Sequence, residues 1–178
     1  MGKKLKILAC PSNHGGCAYY RILLPMQKLE EHYGDEVEVR WDDNPLGWVQ
    51  PADGKPGSQT PEGFTFENLQ WADIVFTQNI HNFGGQYTVE LLRKAHEVGA
   101  FTHFDTDDLL TDLYEGHRLF DVYTDQQLGK ITEYIYNNVD LVSVTQRKFA
   151  ERIAPFVKCA LVVIKNTIDY DMPSWNMP

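Results

Sequence analysis

Cysteine is scarce in this chain: Cys10, Cys17 and Cys159 are the only three in 178 residues, and no two have a Cys-x-x-Cys spacing. An odd, scattered set excludes a disulfide framework and a cysteine-rich zinc site. Basic charge is also short, with 16 Lys and Arg against 25 Asp and Glu, a net charge of −9 and a pI near 5.0. Such a balance lacks the electrostatic footprint of a duplex nucleic-acid binder or of a protein held on an anionic membrane. No apolar run reaches the length of a membrane span. Gly-x-Gly-x-x-Gly and Gly-x-x-x-x-Gly-Lys-Ser/Thr are missing, which disfavours dinucleotide and Walker-type phosphate sites. So are Gly-x-Ser-x-Gly and His-Glu-x-x-His, which argues against serine-hydrolase and zinc-protease chemistry. The six histidines, His14, His32, His81, His96, His103 and His117, have no paired ligand spacing, so no metal site is expected of them.

What is present is an ordinary globular composition, 43% hydrophobic and 23% charged, in a length that suits one domain. The start, Met1-Gly2-Lys3-Lys4, is basic, but the apolar run Leu5 to Cys10 is too short for a secretory h-region. A reducing cytoplasm is the expected compartment. Leu5 to Cys10 reads as a buried strand running into the loop Pro-Ser-Asn-His-Gly-Gly. Tyr19 to Leu24 makes a first turn, and Pro25 opens a helix that Gly34 stops. Glu36 to Trp41 alternates polar and apolar, the pattern of a strand near a sheet edge. Four prolines and four glycines between Asp42 and Phe66 (residues 42–66) forbid a helix or central strand and predict a long surface loop.

Ala72 to Thr77 is a third strand, followed by an amphipathic helix marked by Leu91, Leu92, Ala95 and Val98 and stopped at Gly99. Phe101 to Phe104 is a fourth strand. The capping box Thr124-x-x-Gln127 predicts a helix with Leu128, Ile131 and Ile135 as its buried stripe. Leu141 to Val144, a helix through Phe149 and Ile153 ending near Pro155, and Ala160 to Ile164 complete six strands. Strands alternating with helices predict one α/β domain over residues 1–178: a doubly wound, mostly parallel Rossmann-like sheet of about six strands with helices on both faces. In such sheets ligands bind beyond the carboxyl ends of the strands, after Cys10, Thr77, Phe104, Val144 and Ile164.

Two stretches lie there. In Ser12 to Arg21, Gly15 and Gly16 let backbone N–H groups approach an anion at a helix start, with His14 and Tyr20 beside them. The plainer alternative is a tight turn that needs positive φ. Arg21 suits a phosphate or carboxylate if it faces the cleft, and is otherwise a solvated charge. The second stretch, His103-Phe104-Asp105-Thr106-Asp107-Asp108, crowds three carboxylates at a strand end, where repulsion raises a pKa or calls for a cation or hydroxyl donor. Asp105 is the preferred cleft residue, with Asp108 as the second catalytic candidate; helix capping ahead of Leu109-Leu110 is the alternative for Asp107 and Asp108. Asp105-Thr106-Asp107 also fits a metal-bound nucleotide diphosphate, on a very short pattern. His103 reads as a packed strand residue. Trp71 reads as core, and Trp48 as a sugar platform or a cover for the sheet edge.

Taken in order, Lys6-Ile7-Leu8-Ala9, Gly15-Gly16-Cys17-Ala18-Tyr19-Tyr20-Arg21, Ala72-Asp73-Ile74-Val75-Phe76, Phe104-Asp105-Thr106-Asp107-Asp108-Leu109, Val139 to Thr145 and Val163-Ile164-Lys165-Asn166-Thr167-Ile168-Asp169 resemble the amino-terminal half of a GT-B glycosyltransferase. The nearest relatives are of the "glycosyl transferases group 1" type, including phage-encoded members. The resemblance implies an acceptor-side domain that works, metal-independently and without a cofactor, on a nucleotide-sugar donor and an acceptor whose identity is open. It implies that Gly15 and Gly16 face donor phosphates or acceptor and that Asp105 lies near the reacting hydroxyl. Lys165 and Asn166 would belong to the substrate-facing crossing into a second domain, with residues 165–178 as an interdomain-linker-like tail. Lys165 stands where such enzymes carry Pro, and Thr167 where they carry Gly. A carboxyl-terminal domain or partner chain would complete the enzyme. Two further readings stand beside it: a non-catalytic binding or assembly module derived from that half, and a metal-dependent GT-A transferase using Asp105 and Asp107.

Overall fold

The computed structural model describes residues 2–49, 60–111, 113–117 and 120–166. Six strands form one sheet in the order β2-β1-β3-β4-β5-β6, every neighbouring pair parallel. The strands are β1 (Leu5–Cys10), β2 (Val37–Trp41), β3 (Ile74–Gln78), β4 (Phe101–Thr106), β5 (Leu141–Val144) and β6 (Ala160–Val163). This is the expected Rossmann-like α/β arrangement. The chain steps from β1 outward to β2, then returns past β1 to β3 and continues the other way. The strand order therefore reverses between β1 and β3, the topological switch point, beyond whose carboxyl ends such sheets bind their ligands.

The sheet is covered unequally. On one face Ile7, Ala9, Val39 and Phe76 pack with Ala18 and Ile22 of the first helical stretch. On the other, Leu8, Cys10 and Val75 pack under α3 (Glu67–Trp71) and α4 (Gly85–Glu97) through Leu69, Tyr87, Leu91 and Ala95. Phe104, Val142 and Val144 continue that second face under α6 (Leu128–Asn137) and α7 (Arg147–Ile153).

Several boundaries differ from the sequence expectation. The first helical stretch begins at Gly16 rather than near Pro25, running from α1 (Gly16–Ala18) through a π-turn (Tyr19–Leu23) into α2 (Leu24–Tyr33). The Leu24 N–H bonds back to Tyr19 O, one residue further than in an α-helix, and that widened turn precedes Pro25, which has no N–H to give. Helix α3, which the sequence reading did not expect, follows directly on the proline-rich loop, between Phe66 and β3. Residues 50–59 of the expected loop lie outside the described residues, as does the tail from 167 onward. Thr124 is not a helix cap: it lies inside α5 (Phe120–Asp125), and Gln127, in the left-handed conformation at φ 52°, separates α5 from α6. Trp48 packs edge-on against Tyr87 at 5.0 Å, a core contact. Trp71 carries the Arg40 guanidinium over its ring at 4.1 Å.

Candidate functional site

β4 runs two residues further than its hydrophobic pattern suggested, and this decides where Asp105 goes. Register aligns Gln78, Asp105, Ser143 and Val162 in one row across β3, β4, β5 and β6. Asp105 is therefore an interior strand residue, 1% exposed. Arg21, thrown inward by the π-turn and 5% exposed, meets it with two nitrogens: Nε donates to Oδ2 at 2.8 Å and Nη2 to Oδ1. The third nitrogen, Nη1, donates to Ile164 O at 2.5 Å and to Asn166 Oδ1 at 3.0 Å. Ser143 Oγ adds a 2.5 Å hydrogen bond to Asp105 Oδ1, and its own oxygen faces His103 Nε2 at 2.7 Å.

Burial raises the Asp105 carboxyl above its ordinary value, and the hydrogen bonds from Arg21 and Ser143 oppose that rise. Burial, helped by the Arg21 charge, pushes His103 down to about 4, so its ring is neutral at pH 7. A neutral ring donates from Nε2 to Ser143, whose hydroxyl donates onward to Asp105. His103 also stacks on Phe76 at 4.3 Å, the packed role expected of it.

These contacts revise two expectations. Arg21 does not reach an anionic ligand and is not a solvated charge, because all three guanidinium nitrogens are engaged inside the protein. Asp105 does not open onto the cleft: both its oxygens are taken and it is sealed from solvent.

The switch point itself is closed over by the next turn. Asp107 Oδ1 accepts from Asn79 Nδ2 at 2.6 Å and from Gln78 Nε2 at 3.3 Å, and Gln78 Oε1 accepts from Ser12 Oγ at 3.1 Å. Asn79 adopts positive φ (55°), which swings its amide toward Asp107. From the opposite wall the Cys17 thiol hydrogen-bonds to Asp107, which pushes the thiol up to about 11 and keeps it protonated. The glycine loop and the acidic turn thus meet across the switch point. Ser12, Gln78 and Asn79 were not singled out from sequence; their strand-end positions were the available signal.

Among the described residues no helix begins between Leu109 and the start of α5 at Phe120, so Asp107 and Asp108 do not stand at a helix start. Thr106 Oγ1 instead closes a local turn with the backbone of Asp108, and Asp108 is exposed. The positive-φ explanation of the glycines also fails. Gly15 has φ −81°, and Gly16 is not among the positive-φ residues. At Gly15 a Cβ would meet Asn13 Oδ1 at 2.9 Å, the atom that accepts the Gly15 N–H. At Gly16 a Cβ would meet nothing within 4 Å. His14 is exposed and its Nε2 lies 3.1 Å from Asp43 Oδ2. Tyr20 is 37% exposed with its ring edge-on to Tyr19. Lys165 is exposed, and Asn166 is held by Arg21. Among the described residues no group of three or more His, Cys, Asp or Glu could hold a metal ion.

No family model matches this sequence, and no curated protein does. Among solved structures the chain is similar to the fructokinase from Xylella fastidiosa, at 13% identity and a TM-score of 0.36, over 86% of this chain and 49% of that one. It spans about half the length of that enzyme. Among the described residues no helix is long and apolar enough to cross a membrane.

Proposed function

We propose that this chain is the acceptor-side half of a GT-B glycosyltransferase, moving a sugar from a nucleotide-sugar donor to an acceptor hydroxyl together with a carboxyl-terminal domain or partner chain. The observation that carries the reading is the meeting of the glycine loop with the acidic turn at the carboxyl ends of β1 and β3, joined by the hydrogen bonds from Ser12 to Gln78 and from Gln78 to Asp107. Gly16 supports it: neither its backbone nor its surroundings require a glycine, whereas close approach of a phosphate or sugar to its N–H does.

In this reading Gly15, Gly16, His14 and Tyr20 bind substrate, and Asp107 accepts a hydroxyl. The exposed Asp108 takes the acceptor proton as the acceptor oxygen bonds to the sugar's anomeric carbon and the nucleoside diphosphate leaves. Asp105 acts one layer below, holding the turn in place with Arg21. Isothermal calorimetry with uridine and guanosine diphosphate sugars, with and without a candidate partner, tests the proposal. Heat of binding that Gly16→Val abolishes is the expected result. Silence in both conditions overturns it.

A second reading, a non-catalytic binding or assembly module, is favoured by one observation: the carboxylate best placed by sequence, Asp105, is neutralised by Arg21 and buried. That reading predicts no donor hydrolysis or transfer by the chain with any partner.

A further inference from the structure

The two edges of the sheet carry opposite sequence logic. β2 alternates, with Val37 and Val39 each 8% exposed and Arg40 turned outward, as suits an edge strand. β6 with Ile164 is an uninterrupted run, Ala-Leu-Val-Val-Ile, the composition of a parallel strand covered on both faces. Yet β6 is the last strand of the sheet, and no described residue pairs with its outer side. Val162, Val163 and Ile164 are 37%, 40% and 47% exposed, and Val162 and Val163 point to opposite faces. Among the described residues a central-strand sequence thus occupies an open edge, a template for strand addition.

Charge says what fits there. From Leu141 to Asn166 the chain holds five basic residues, Arg147, Lys148, Arg152, Lys158 and Lys165, against one acid, Glu151. Residues 1–140 carry the reverse, 22 acids to 11 bases. Lys158 and Lys165 bracket β6 in sequence, and α7, which packs on β5 and β6, contributes the other three. Lysines that guard an edge do so by interrupting it; these flank the run and leave it whole. Pairing β6 with β6 of a second copy would set these cations against one another.

We propose that the β6 edge is the strand-addition site for a separate, acidic polypeptide. An extended segment pairs its backbone with β6, covers Val162 and Val163 with apolar side chains, and sets carboxylates against Lys148 and Lys158. The probe is a short synthetic peptide alternating Glu and Val, compared with one alternating Lys and Val, added to the full chain. The expected result is binding of the acidic peptide alone, slowed amide exchange at residues 160–164 but not in β2, and about a tenfold loss of affinity in Lys148→Glu/Lys158→Glu. Absence of binding overturns the proposal, as does binding without protection of β6, which marks a charge contact only. Sedimentation of the chain alone as a dimer with protected β6 amides overturns it too, assigning the edge to a second copy.

Discussion

Arg21 and Asp105, 84 residues apart, form a two-point ion pair beneath the glycine loop, and the remaining Arg21 nitrogen holds the chain where it leaves β6. One buried guanidinium therefore ties together the first helical stretch, the end of β4 and the exit segment. Removing one member strands a charge in the core. Arg21→Ala and Asp105→Ala are each expected to lose about 3–5 kcal/mol, while Arg21→Met/Asp105→Leu recovers most of that loss. Urea unfolding curves decide it: equal stability of the single and double variants would show that charge burial is not the cause.

His103 sets a pH window. Its folded pKa lies near 4 against an ordinary 6.5. Below pH 6.5 the unfolded chain takes up a proton that the folded chain refuses. Stability is therefore full above pH 6.5, falls as pH drops from 6.5 toward 4, and loses at most roughly 3 kcal/mol from this group. His103→Gln, which keeps a donor for Ser143, should flatten that part of the stability profile. An unchanged slope would assign the pH dependence to other groups.

Cys17 is exposed yet held as a thiol by Asp107. At neutral pH it should react with iodoacetamide more slowly than an ordinary cysteine. Asp107→Asn should speed it by about tenfold, the gain in thiolate being partly offset by its lower nucleophilicity. Peptide mass spectrometry separates Cys17 from buried Cys10 and half-buried Cys159. Equal rates in both proteins would remove the Cys17–Asp107 contact from the site.

Gly16 and Gly47 should part company. Gly47 has φ +61°, and a Cβ there would run into the Phe64 ring, so Gly47→Ala should cost about 1–3 kcal/mol. Gly16 meets neither constraint, so Gly16→Ala should leave the thermal midpoint unchanged or raise it slightly while weakening donor binding. A drop in midpoint at Gly16 comparable to that at Gly47 would make its glycine a folding requirement.

Much of this was legible in the chain itself. The six strands follow from apolar runs bounded by glycine, proline and polar clusters, because the period of hydrophobicity is a local property. The glycine loop and the acidic stretch could be set at strand ends for the same reason. The π-turn before Pro25 and the short helix that follows the proline-rich segment could not, since both depend on what the rest of the fold packs against them.

Local pattern thus determined which segments are strands, that the sheet is parallel, and which loops crowd its carboxyl end. Tertiary structure alone decided what those loops do. Register across four strands placed Ser143 beside Asp105, and a widened helical turn aimed Arg21 at both. A buried charge takes whichever partner the fold brings within reach, and spacing along the chain carries no record of that choice.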